Sequence, residues 1–228
     1  MDIGSFVLDA DGVRWAVDLG AEGYHGIESR GMNLWSMAQD SDRWKIFRQQ
    51  NLGHNTLVID GQLQVAAGYG KIIRFSSIPS FPHSIVDMSE VYAGQAESVR
   101  RGFALLPSRE VLIQDQLTGL QPGSVVRWGM ITPGRPSESG NSAMELTQGG
   151  QKLVLTILAP RESRWIVINT EDPPNEWDSP NPGTCMVAFT SSASESGELH
   201  LAVLITPESV SESVLGATKL RPLDQWGQ

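Results

Sequence analysis

The chain has 228 residues, 40% of them hydrophobic and 19% charged, with a formal net charge of -9 at pH 7. That composition belongs to a globular chain and excludes the disordered classes. The acidic balance argues against a nucleic-acid groove, which needs clustered Lys and Arg, and no stretch approaches the roughly 18 apolar residues of a membrane span.

The first residues, Met1-Asp2-Ile3-Gly4-Ser5, lack the basic and apolar regions of a signal peptide. Phe6-Val7-Leu8 already reads as strand, so the chain starts inside a structural element. Apolar runs at 5–9 and 13–19 flank Asp11-Gly12, a strong hairpin signal. Residues 21–50 are polar and rich in Gly, Asn and Arg, with Trp35, Trp44 and Phe47 as scattered anchors. A short helix capped by Ser41 is expected over 41–49. An irregular excursion of roughly 30 residues between strands has the length of a functional loop.

From His54 onward the sequence alternates strands and turns. Strands are expected at 55–60, 71–76, 84–90, 99–106, 110–117, 124–132, 143–147, 152–158, 164–169, 184–190 and 198–206. The breaks are Asp60-Gly61, Pro107-Ser108, Gln121-Pro122-Gly123, Gly149-Gly150 and the Pro-rich stretch 172–182. In 152–158 one face is Leu153, Leu155 and Ile157. The tail after Pro207 shows little pattern beyond one last strand. About a dozen short strands with frequent turns imply an all-β fold, a large two-sheet antiparallel β-sandwich. The whole chain, 1–228, reads as a single sandwich domain with a long loop at about 21–52. The single cysteine, Cys185, permits neither a disulfide nor a multi-cysteine zinc site, and its apolar run reads as a strand with a buried, inert thiol.

Three motifs occur in order: Asp2-Ile3-Gly4-Ser5-Phe6-Val7-Leu8, Trp15-Ala16-Val17-Asp18-Leu19-Gly20, and Gly53-His54-Asn55-Thr56-Leu57-Val58-Ile59-Asp60-Gly61. The trio resembles the start of the C-terminal β-sandwich in heparinase II/III-like polysaccharide lyases. Arg101-Gly102-Phe103 and Leu112-Ile113-Gln114-Asp115 are similar to the same family. The resemblance implies an N-terminal α/α toroid as partner domain, an acidic polysaccharide as substrate, and a parent protein that is periplasmic or secreted. It also implies a metal, usually zinc, held by two histidines and an aspartate. By position Asp18 matches the aspartate and His54 the second histidine. The first histidine belongs to a His-x-His-x-Asp run whose final aspartate corresponds to Asp2, so its place is upstream of Met1. With two ligands alone, metal binding by this chain is expected to be weak or absent.

Eliminating across a uronic acid requires removal of the C5 proton beside a carboxylate and departure of the 4-oxygen, with the carboxylate neutralised. In the resembled family the proton-transfer groups come mainly from the toroid, so this chain is expected to be inactive alone. The loop offers Tyr24 and Arg48 as catalytic candidates, and Arg30, Arg43 and Asn51 as substrate-binding candidates, since an arginine pairs bidentately with carboxylate or sulfate. The bland readings are surface salt bridges for the arginines, a strand-end cap for Asp18 and a backbone-bonded histidine for His54. His83 and His200 read as structural. Two other functions remain open: a non-catalytic carbohydrate-binding module, with Trp35, Trp44 and Trp177 as stacking residues while Trp15, Trp128 and Trp165 pack the core, and a sandwich with no ligand site.

Overall fold

A computed structural model describes residues 1–140, 142–210 and 220–227. Strands β1 (Leu8–Ala10) and β2 (Val13–Ala16) form a hairpin. Asp11 and Gly12 turn it with φ of 50° and 79°, the left-handed pair of a type I′ turn. The expected first strand begins late because residues 3–6 are held by side chains rather than by a ladder. Gln64 grips Ile3 through both its amide groups, and Arg101 takes the Gly4 carbonyl.

The 21–53 excursion contains one short helix, α1 (Tyr24–Glu28), which has no sequence signature of its own. The helix expected over 41–49 divides into single turns at Asp42–Lys45 and Phe47–Gln49. Ser41 caps the first, accepting from the Arg43 amide. Ile46 interrupts them in extended conformation, its side chain buried with Ile27 and Leu34 in a small cluster under the loop. Burial of one isoleucine outweighs helix continuity here.

The remaining strands are β3 (Val58–Ile59), β4 (Lys71–Ser76), β5 (His83–Asp87), β6 (Ser98–Leu105), β7 (Val111–Thr118), β8 (Val125–Thr132), β9 (Arg135–Glu138), β10 (Ala143–Gln148), β11 (Gln151–Ala159), β12 (Ile166–Asn169), β13 (Cys185–Ser192) and β14 (Leu199–Pro207). One sheet has eight strands in the order β4-β5-β6-β7-β14-β11-β10-β9, the other four in the order β12-β13-β8-β3. All pairings are antiparallel. The antiparallel two-sheet sandwich read from the turn spacing is therefore the observed architecture. Sequence pattern missed β9, which carries Pro136 and no apolar alternation. Proline is tolerated there because β9 is an edge strand.

The main core lies between the sheets. Trp128 stacks on Phe189 and meets Trp165 edge-on, while Leu153, Leu155 and Ile157 face them from β11, the face that alternation marks. Trp15, Trp128 and Trp165 are all buried, as the strand pattern implies. A second core covers the outer face of the large sheet, where Leu223 and Trp226 seal Ile85, Ala104, Leu112 and Leu204. Strands β7 and β14 are thus buried on both faces, which explains their continuous apolar runs. The last strand expected after Pro207 falls largely on 211–219, outside the described residues, and 220–227 serve as this cover. Cys185 is half-buried rather than fully buried, and burial pushes its thiol pKa up, consistent with inertness. His83 is buried between Phe81 and Trp226, and His200 lies within β14, both in the framework of the large sheet.

Candidate functional site

Asp18 and His54 are 36 positions apart and meet at 3.1 Å between the His54 Nδ1 and the Asp18 Oδ2. Three features create this contact. Val17, just beyond β2, donates its amide to the Ile131 carbonyl, so the segment runs beside β8 up to Asp18. The Asp18 Oδ1 accepts from the Gly20 amide at 2.7 Å, so the carboxylate also closes the strand end. The third is Asn55, whose Nδ2 donates to the carbonyls of Phe6 (2.7 Å) and Val17 (3.0 Å) while its Oδ1 accepts from the Ile131 amide (2.6 Å). One buried amide thus joins the chain start, the Asp18 segment and the small sheet beside His54.

The turn before His54 depends on Gly53. A Cβ there would stand 2.1 Å from the Phe47 carbonyl oxygen, a backbone atom that cannot swing aside. Gly53→Ala is expected to cost about 1–3 kcal/mol by this overpacking, read as a drop in the denaturation midpoint at unchanged slope. An unchanged midpoint would show that the turn relaxes freely.

His54 is 7% exposed, and burial is the main cause that lowers its pKa, outweighing the upward pull of the Asp18 carboxylate. The charges of Asp2 and of the N-terminal amine also act on the ring, so the start of the chain lies within its electrostatic reach. A neutral imidazole facing a carboxylate donates from Nδ1, because a carboxylate only accepts, and its Nε2 then carries the free lone pair. The pair also suits a metal. Two donor atoms 3.1 Å apart match an edge of the zinc tetrahedron, about 3.3 Å for bonds near 2.0 Å. Proton and ion would compete for that edge. The fit is partial, however, since no cluster of three metal-binding side chains occurs among the described residues.

The other loop residues divide by what their polar groups do. Arg48 donates to Asn181 Oδ1 (2.8 Å) and to the carbonyls of Ala21 and Pro180, and lies 3.9 Å from Glu22. Burial alone would raise the Glu22 carboxyl pKa, but hydrogen bonds from Ser179 and Gly23, with Arg48 alongside, hold it below the ordinary value. Arg48 therefore staples the loop to the 170–184 segment. Arg43 donates to the Leu34 carbonyl and lies over the Trp44 ring. Asn51 is fully buried, donating to the carbonyls of Leu57 and Gln62 and accepting from the Gln64 amide. Arg30 is exposed, with one guanidinium nitrogen on the Gly26 carbonyl. Tyr24 is exposed against Trp35. Trp44 is buried and Trp177 half-buried against the loop cluster, so of the three loop tryptophans only Trp35 faces solvent.

Behind the site lies a group to which sequence reading assigned no role. Arg101 on β6 and Asp115 on β7 form a fully buried bidentate ion pair at 2.7 and 3.0 Å. The remaining Arg101 nitrogen donates to the carbonyls of Gly4 and Asn55, which tie the pair to the residue after His54. Arg127, pushed down by burial to about 10, still carries its charge at neutral pH and donates to the Leu52 carbonyl.

The family described as heparinase II/III-like, C-terminal, matches residues 1–198. Solved structures share the fold. The heparan sulfate lyase HepC from Pedobacter heparinus superposes with a TM-score of 0.69 at 14% identity over 90% of this chain. A structure of heparinase III gives 0.68 at 14% identity over 93%. In both cases the matched part is 30% of the solved chain. At this identity the likeness speaks for the fold alone. No curated protein matches the sequence.

Proposed function

Because the chain belongs to the heparinase II/III-like C-terminal family, we propose that it acts as the C-terminal sandwich of a lyase cleaving uronic-acid-containing glycans by β-elimination. Heparan sulfate, which HepC acts on by its name, is one such glycan. The observation that carries this reading is the Asp18–His54 pair, held by the dedicated frame of Asn55 and Arg101. A plain sandwich has no need to bury a histidine against a carboxylate through so specific a framework.

In this reading Asp18 and His54 are two ligands of a zinc site whose third ligand comes from a histidine upstream of Asp2. The metal would hold the surrounding loops and ligand side chains in a fixed arrangement. Without metal, Asp18 orients the His54 ring by accepting from Nδ1, whose proton would be displaced on metal binding. Burial keeps the ring neutral and able to donate a lone pair. Arg48 and Asn51 fix the 21–53 loop, while Arg30 and Tyr24 keep polar groups available for a ligand. An α/α toroid supplies the remaining proton-transfer groups, so the sandwich alone is inactive, and the parent works in the periplasm or outside the cell, where polymeric substrates are found.

Zinc content by elemental analysis, measured on this chain and on one extended upstream through a toroid, tests the reading, with unsaturated uronide formation followed on a glycan panel. The extended protein is expected to hold about one zinc per chain and to release uronide, with the sandwich alone doing neither. An extended protein that binds no metal and cleaves nothing returns Asp18 and His54 to purely structural roles.

A further inference from the structure

The 21–53 loop carries an aromatic surface that neither the core nor the Asp18–His54 pair uses. Trp35 is 65% exposed and Tyr24 48%, their rings edge-to-face at 5.4 Å. Two exposed aromatic rings in contact give a contiguous apolar surface, the kind of feature that marks a contact site when it is large. Trp35 is moreover fixed at both ends. Its indole nitrogen donates to Glu28 Oε1 at 2.8 Å, and its backbone amide donates to Asn33 Oδ1 at 3.0 Å. The Asn33 amide is itself held by Asp42, and the loop beneath is anchored by buried Ile27, Leu34 and Ile46. The ring is thus rigid while its surface stays open, which is the preorganisation that makes an aromatic side chain an effective binding group.

We propose that Trp35 and Tyr24 form a stacking subsite for one pyranose ring of an acidic glycan. The apolar C–H face of a sugar lies flat on an indole, while its hydroxyls need polar partners at the rim. The rim supplies them. The Tyr24 hydroxyl makes no hydrogen bond to any described residue. Arg30 is exposed two residues past the helix that bears Tyr24 and Glu28, and is bonded to the Gly26 carbonyl. It would pair with the carboxylate of a uronate, against the Glu28 carboxylate that already holds the Trp35 indole nitrogen. The arginine distinguishes an acidic ring from a neutral one. The subsite deepens the lyase reading and rests on it, since the loop joins the two residues of the candidate metal pair.

The test is a saccharide titration of the full chain followed by two-dimensional NMR of the tryptophan indole N–H groups, with alginate and heparan sulfate oligosaccharides as acidic probes and a dextran oligosaccharide as the neutral one. The Trp35 indole signal is expected to shift with the acidic probes ahead of the buried tryptophans. Trp35→Ala is expected to weaken binding roughly tenfold, Trp35→Phe to restore most of it, and Arg30→Ala to remove the preference for acidic over neutral sugar. The melting temperature of each variant should match the parent, since the replaced side chains lie on the surface. If this chain binds no acidic oligosaccharide, the subsite falls, while the lyase reading stands or falls separately on the zinc and uronide assay of the extended protein. If this chain binds them and Trp35→Ala binds equally well with an unmoved indole signal, the subsite alone is wrong.

Discussion

Replacing Arg101 with methionine is expected to destabilise the protein by at least about 3–5 kcal/mol, measured as ΔG of unfolding in urea at pH 7. The loss arises from what is left behind. Asp115 is fully buried and receives both of its charge-assisted hydrogen bonds from Arg101, so the substitution strands a carboxylate where water cannot reach it. The carbonyls of Gly4 and Asn55 lose their donor as well. The double variant Arg101→Met/Asp115→Leu separates the two contributions. Replacing a whole buried ion pair by apolar side chains is often neutral or stabilising, so the double variant should regain most of the loss due to the carboxylate. The deficit that remains measures the tie to Gly4 and Asn55. A single variant within about 1 kcal/mol of the parent, the scale of an exposed pair, would show that the buried pair has no such structural role.

This ion pair also shows where reading the sequence stops. The fold was legible because strand alternation and turn residues are local: the Asp11-Gly12 turn, the Leu153, Leu155 and Ile157 face and the 71–76 strand all come from neighbours in the chain. Asp18 and His54 were legible only through resemblance to a family, since 36 residues separate them and nothing local joins them. Arg101 and Asp115 had a faint signal that went unused. They face each other across the β6–β7 hairpin, equally far from Ser108, and are charged residues within two apolar strands. A charge at the same distance on each side of a hairpin turn predicts a cross-strand pair. Arg48 with Asn181, and Glu22 with Ser179, gave no such signal, because the 170–184 segment meets the loop only in the folded chain. Those contacts tie Arg48, a catalytic candidate by sequence, to the 170–184 segment.

Asn55→Ala is the second large effect, expected at about 2–4 kcal/mol from the buried Ile131 amide and the two partly buried carbonyls it would orphan. The carbonyls of Phe6 and Val17, both partly buried, and the buried amide of Ile131 all end on that one buried side chain. Asn55→Asp probes the same place differently. A carboxylate keeps the acceptor for Ile131 but has no N–H for Phe6 or Val17, and it buries a charge facing two carbonyls, so it should be at least as destabilising as alanine. The functional consequence separates this site from any core lesion of equal cost. Val17 adjoins Asp18 and Asn55 adjoins His54, so freeing them loosens the 3.1 Å contact directly. The His54 ring resonances should shift in Asn55→Ala and stay in place in Leu155→Ala, a core truncation of comparable cost. Equal shifts in both variants would mean that the site merely follows global stability; an undisturbed His54 in Asn55→Ala would mean that Asp18 and His54 hold each other without the frame.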